Sequence, residues 1–269
     1  MSSPATTPAV GTDVATRTFP PARAPRGLVL VVPGRGDNAD HYERFGARLA
    51  FDGYTVVVPE SPVTSADGVA ELWRTAVDAG TAAGTDYPIT LVVGVDVAAS
   101  FVASATASGT VHPTALVFAG AVATGAASAN LPASGTSAGT ALDAEAEIAR
   151  RTSCPVHSAV LRGSSAVALS ADTTVAAWPS DGSIDESALT LPTLILHGES
   201  DAISSVDDVV DQTASFTDRT LLTLVGGVHD VLNDINHRTV AAEIVSFAER
   251  LRISPDAAPV VTRRSLVNA

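Results

Sequence analysis

The run Thr90-Leu91-Val92-Val93-Gly94-Val95-Asp96-Val97-Ala98-Ala99-Ser100 passes from an apolar strand, through small-x-acid-x-small, into an Ala-rich helix. A side chain at the tip of such a strand-to-helix turn stands clear of the backbone. The turn is so tight that the residues two before and two after it must be small. Gly94 and Ala98 meet that demand, and the residue they flank is Asp96. A carboxylate there needs no deprotonation to act as a nucleophile. The helix starting behind it, with the free Val97 N–H, favours the ionised form. The common form of this turn carries serine, so Asp96 is either a different nucleophile or a dead one. Two other side chains suit the same chemistry, Asp201 and His229, each just beyond an apolar strand. Nucleophilic catalysis needs a base beside the nucleophile and a carboxylate orienting the base. The chain order Asp96, Asp201, His229 supplies all three at strand ends, and in open α/β sheets that carboxyl edge is where ligands bind.

The elements that must position these residues are legible as alternating apolar runs and amphipathic stretches. Gly27–Val32 is a Val-rich run of strand length, as expected for a strand covered on both faces. Pro33-Gly34-Arg35-Gly36-Asp37-Asn38 breaks it; the glycines let amide N–H groups turn toward one point, as half of an oxyanion hole would require. Taken alone the segment is equally a glycine-rich turn without chemistry. The pattern predicts a helix over about Ala39–Ala50, a strand from Tyr54, a helix over Ser65–Ala83 capped by Ser65, and a helix from Val97 to about Ser108. Further strands are expected at Thr114–Gly120, Leu191–Leu196 and Arg219–Val225. Helices are expected over Ser204–Phe216 and Asn233–Leu251, the latter with Val240, Ile244, Phe247 and Leu251 on one side.

Alternation stops between Ala121 and about Leu191, a stretch rich in Ala, Ser, Gly and Thr with one clear helical segment near Ala138–Arg151. Loops this long serve as lids or binding loops when they lie inside compact domains. Residues 121–191 are read as a cap over Asp96 with a pocket beneath it, a partly disordered insertion being the alternative. Residues 1–24 read as a loose arm carrying an edge strand near Asp13–Phe19, residues 25–120 and 192–252 as the core, and 253–269 as a loose tail.

At 269 residues and 46% hydrophobic, the chain can bury a large core in one domain. Its formal charge of −13 argues against nucleic acid as a partner. All 16 basic residues are Arg, which excludes Schiff-base chemistry. Cys154 stands alone, so no internal disulfide forms, and it reads as a buried or half-buried thiol. His41, His112 and His237 lack ligand spacing; neither a metal nor a cofactor is expected. No apolar run approaches a membrane span and no secretory leader is seen, so a cytoplasmic protein acting on a small molecule is expected, its oligomeric state open.

From about Gly27 to Leu251 the chain resembles the α/β-hydrolase superfamily, in its monoacylglycerol-lipase or lysophospholipase-like branch. The resemblance rests on Pro33-Gly34-Arg35-Gly36, Leu49-Ala50-Phe51-Asp52-Gly53-Tyr54, Leu196-His197-Gly198-Glu199-Ser200-Asp201 and, most specifically, Gly227-Val228-His229-Asp230-Val231-Leu232-Asn233-Asp234. It implies an α/β-hydrolase fold, a mostly parallel doubly wound sheet with an inserted cap. It also implies a His229–Asp201 pair and an oxyanion hole from the N–H groups of Arg35 and Val97. Two positions depart from the pattern: Pro33 replaces the usual histidine and Asp96 the serine. Superfamily members with Asp at this turn include dehalogenases and epoxide hydrolases, which form an alkyl-enzyme ester. Dehalogenases often place Trp after the nucleophile, where this chain has Val97. Epoxide hydrolases use cap tyrosines, whereas Tyr42, Tyr54 and Tyr87 all precede the cap. Trp178 and His157 are candidates to bind a leaving group, with packing of the cap as their other reading. Two functions stay open: a hydrolase using Asp96, His229 and Asp201, or a non-hydrolytic relative, a binding or scaffold protein or a lyase-type enzyme.

Overall fold

A computed structural model of the chain describes residues 14–123, 141–164 and 184–254. Among the described residues seven strands form one sheet: β1 (Thr16–Phe19), β2 (Gly27–Val32), β3 (Tyr54–Pro59), β4 (Thr90–Val95), β5 (Ala115–Ala119), β6 (Thr193–Gly198) and β7 (Arg219–Leu224). Their spatial order is β1-β3-β2-β4-β5-β6-β7. Only β1 runs antiparallel, against β3; all other pairs are parallel. Every residue of β2, β3 and β5 is buried. The two faces alternate as the pleat requires. Val29 and Val31 of β2 pack with Leu91, Val93 and Val95 of β4 on one side; Leu28, Leu30 and Val32 pack with Val92 on the other.

Helices cover both faces. On the first lie α1 (Glu43–Phe51), through Phe45 and Leu49, and the last helix, His237–Ile253, through Val240, Ile244, Phe247 and Leu251. On the second lie α2 (Ala66–Ala82), through Val69, Leu72 and Ala76, and α3 (Ala98–Ala107), through Val102 and Ala103. Ser65 caps α2, accepting from the Gly68 N–H. The helix read from Ala39 is two elements, a 3-10 turn over Ala39–Tyr42 and then α1. Asn38 and His41 close a capping box there, which tightens the first turn.

Between β5 and β6 the described residues form α4 (Ala141–Arg151), α5 (Pro155–Arg162) and a 3-10 turn over Glu186–Ala188. α5 is absent from the sequence reading. Pro155 opens it, a position where a missing N–H costs nothing. α6 (Val206–Gln212) is shorter than Ser204–Phe216 and is capped by Ser205. α7 is the last helix, and it starts at His237 rather than Asn233. Trp178, the N-terminal arm before Val14 and the tail beyond Ser254 lie outside the described residues.

β2 leads outward to β3, and the chain then returns to β4 on the other side of β2. This reversal leaves the carboxyl ends of β2 and β4 side by side, the place where a crevice forms in an open α/β sheet. Arg35 follows one of those ends and Asp96 the other.

Candidate active site

Asp96 has φ 55, the one non-glycine residue among those described in the left-handed region. Aspartate tolerates that conformation better than most side chains. The turn is enforced by packing: a Cβ on Gly94 would lie 2.7 Å from Ala99 Cα, and one on Gly34 would lie 2.8 Å from Asp96 Cβ. Both glycines are therefore required for the loop after β2 and the helix α3 to close on Asp96.

The two carboxylate oxygens of Asp96 have different surroundings. Oδ2 accepts from the Arg35 backbone N–H at 3.0 Å and from Arg35 Nε–H at 2.8 Å. Oδ1 lies 3.3 Å from His229 Nε2. The Val97 N–H makes no hydrogen bond to the carboxylate. His229 Nδ1 is 2.8 Å from Asp201 Oδ2, and Asp201 Oδ1 accepts from the Ile203 and Ser204 N–H groups. The structure thus brings Asp96, His229, Asp201 and Arg35 together, at side-chain exposures of 3%, 1%, 0% and 2%.

Electrostatics follow from this enclosure. Burial would raise the Asp96 carboxyl, but the Arg35 charge and the His229 ring beside Oδ1 outweigh it and hold the group far below the ordinary carboxylate range. Burial would lower His229, but Asp201 and Asp96 on its two nitrogens push it up to about 10. At neutral pH the resting site is carboxylate, imidazolium, carboxylate. Asp201 is also lowered, burial being outweighed by His229, His197 and the Ile203 N–H.

Two features escaped the sequence reading. The Arg35 guanidinium turns back onto Asp96, whereas only the backbone N–H of Arg35 was assigned a place there. His197 lies against the acid, its Nε2 3.2 Å from Asp201 Oδ2 and 2.8 Å from the Ser204 carbonyl it donates to. Its position inside Leu196-His197-Gly198 was the available signal. His157 is buried on Asp230, with Nε2 3.1 Å from Oδ2. A cavity of about 720 Å³ bordered by Phe19, Arg23, Ala50 and Phe51 sits at the amino ends of β2 and β3, the sheet edge opposite Asp96. Among the described residues no group of three or more His, Cys, Asp or Glu is placed to hold a metal ion, and no helix is long and apolar enough to cross a membrane.

No family model and no curated protein sequence matches the chain. Solved structures do. A soluble variant of monoglyceride lipase from Saccharomyces cerevisiae superposes with a TM-score of 0.65 at 13% identity, covering 87% of this chain and 90% of the lipase. An esterase from Exiguobacterium antarcticum gives 0.59 at 15%, over 88% and 95% of the two chains. Proline iminopeptidase from Mycobacterium smegmatis gives 0.60 at 18%, over 90% and 96%. With this sheet order, the switch point at β2 and β4 and the turn at Asp96, the chain has the α/β-hydrolase fold.

Proposed function

We propose that the chain is a hydrolase of a small organic substrate in which Asp96 is the nucleophile, His229 the base and Asp201 its orienting acid. The observation that carries this reading is the division of labour between the Asp96 oxygens. Oδ2 is held by two Arg35 donors, while Oδ1, beside His229 Nε2, is left for attack. Asp96 Oδ1 forms a bond to the substrate carbon as the leaving group departs with the electron pair, giving an alkyl ester. Asp96 then no longer carries charge. With one of the two carboxylates that hold its proton gone, His229 gives that proton to the departing group or to water, and Nε2 becomes a base. Water attacks Asp96 Cγ and gives its proton to Nε2. The negative charge collects on Oδ2, where Arg35 N–H and Nε–H already point and where the Val97 N–H is the other proposed donor. Collapse expels the alcohol with the His229 proton and leaves the Asp96 carboxylic acid, whose remaining proton passes to Nε2 and restores carboxylate and imidazolium, one carboxylate oxygen now from water. Helices α4 and α5 belong to the cap in this reading, and His157 stands in it on Asp230. The structural likeness to lipases, esterases and a peptidase supports hydrolysis in general.

One observation favours the second reading, a non-hydrolytic relative. Asp96 and Arg35 form a buried ion pair, 2.8 Å apart, and such pairs also occur as purely structural elements. Trapping separates the two. Esters, haloalkanes, haloacids and epoxides are screened, and His229→Gln is exposed to any compound that wild type turns over. The hydrolase reading expects an adduct of the alkyl mass on the Asp96 peptide, and ¹⁸O from labelled water in Asp96 of turning-over wild type. Turnover without label in Asp96 removes the nucleophile; no turnover of any class leaves the ion-pair reading.

A further inference from the structure

A second buried charge cluster joins the insertion to the two loops that carry the site. Arg151, the last residue of α4, donates from Nη2 to both Asp37 oxygens at 2.9 Å and from Nε to Asp230 Oδ2 at 3.1 Å. Its backbone carbonyl accepts from the Asp230 N–H at 2.7 Å. Asp230 is thus gripped at backbone and side chain by a single residue, and it directly follows His229. Asp37 stands two residues after Arg35 and receives the Tyr42 hydroxyl as well. His157 of α5 completes the cluster on Asp230. Arg151, Asp37, Asp230 and His157 are all at most 3% exposed. One and two residues past the arginine, the link between α4 and α5 is tied to the same loop, as Thr152 Oγ1, Ser153 N–H and Ser153 Oγ all donate to Asp234 Oδ1.

A planar guanidinium with several fixed N–H directions can hold two carboxylates at set angles, which a lysine ammonium cannot. Asp37 and Asp230 belong to loops after β2 and β7, at opposite sides of the Asp96 turn in sequence, and Arg151 is what they share. Other contacts hold each loop separately, Tyr42 on Asp37, and Asp201, His157 and Ser153 on the loop of His229, Asp230 and Asp234. The distances that matter for chemistry, Arg35 to Asp96 and His229 to Asp96, are set by those same loops.

We propose that Arg151 is a positioning residue: from the insertion, it fixes the His229 loop and the Arg35 loop relative to Asp96. This rests on the hydrolase reading for its purpose but not for its test, which uses no substrate. In Arg151→Lys the charge stays and the fork is lost. The readout is the His229 imidazole by NMR, assigned through its loss in His229→Gln. Its Nδ1 proton, bonded to Asp201, should broaden or vanish, and its titration should move down by about one pH unit or more, a tenfold change. The Arg35 Nε–H, buried on Asp96, should exchange with solvent about tenfold faster. If Arg151→Lys lowers the melting temperature while the His229 titration and Arg35 exchange stay as in wild type, the cluster only holds the insertion down and the proposal fails. Should Arg151→Lys not fold, Asp37→Asn decides. It frees the Arg35 loop alone, so faster Arg35 Nε–H exchange with an unchanged Nδ1 signal supports the proposal, and unchanged exchange overturns it.

Discussion

The charge state of His229 can be read from stability against pH. The folded chain holds the His229 proton until about pH 10, whereas the unfolded chain releases it near 6.5. Between those values the folded state binds a proton that the unfolded state lacks, so stability falls as pH rises. The contribution is complete below pH 6.5 and gone above about 10. Each pH unit in that window is worth about 1.4 kcal/mol, so the decline sums to roughly 5 kcal/mol. That is a large share of the roughly 5–15 kcal/mol by which domains are stable. At a urea dependence of about 2–3 kcal/mol per molar, the unfolding midpoint should drop by about 2 M across the window. The assay is urea unfolding of wild type and His229→Gln at half-unit steps from pH 6 to 10. Subtracting the variant removes tyrosine and thiol titrations common to both. The difference curve should slope downward throughout the window, and Asp96→Asn should flatten part of it by removing one of the two carboxylates that hold the proton. Parallel curves for wild type and His229→Gln would refute the reasoning: His229 would not rest as an imidazolium, and the generation of a base by ester formation would lose its physical ground.

Two other substitutions test the geometry. Gly94→Ala drives a methyl to 2.7 Å from the Ala99 backbone, an overlap no flexible side chain can relieve. It should cost about 1–3 kcal/mol or more by overpacking, read as a lower urea midpoint with an unchanged slope. Arg35→Met leaves Asp96 buried without its guanidinium partner and should destabilise by about 3–5 kcal/mol at pH 7. The Asp96 carboxyl should titrate higher in that variant, so the deficit should shrink as pH falls, checked by the same unfolding at pH 4 and 7.

How much of this was legible beforehand depends on the range of the interaction. β2 to β6 are marked by runs that are mostly apolar, because strands covered on both faces leave no polar alternation, whereas the edge strand β7 mixes Arg219, Thr220 and Thr223 with its leucines and stays half exposed. The turn at Asp96 is marked by Gly94 and Ala98, since steric exclusion there acts between residues only a few positions apart. The edge on which Asp96, Asp201 and His229 stand follows from parallel strands, which all deliver their carboxyl ends to one side. α5 went unread because its eight residues are few for a periodicity, and Pro155 suggests a break as readily as a start.

What only the tertiary structure decided is where the charged side chains turn. Arg35 and Asp96 are 61 residues apart in sequence, and Arg151 and Asp37 are 114 apart. Nothing local tells a surface arginine from one folded inward. Arg35 turns onto Asp96 because the chain reverses at β2 and β4 and Gly34 lets the loop approach. Arg151 turns inward because the end of α4 meets two loops that each offer a carboxylate. A buried charge is tolerable only with its partner in place, and the partner is chosen by the fold. The sequence by itself therefore determined the strands, the tight turn and the order of the reactive residues along one edge. The packing of distant loops determined the ion pairs around them, because those exist only once the sheet has brought the loops together.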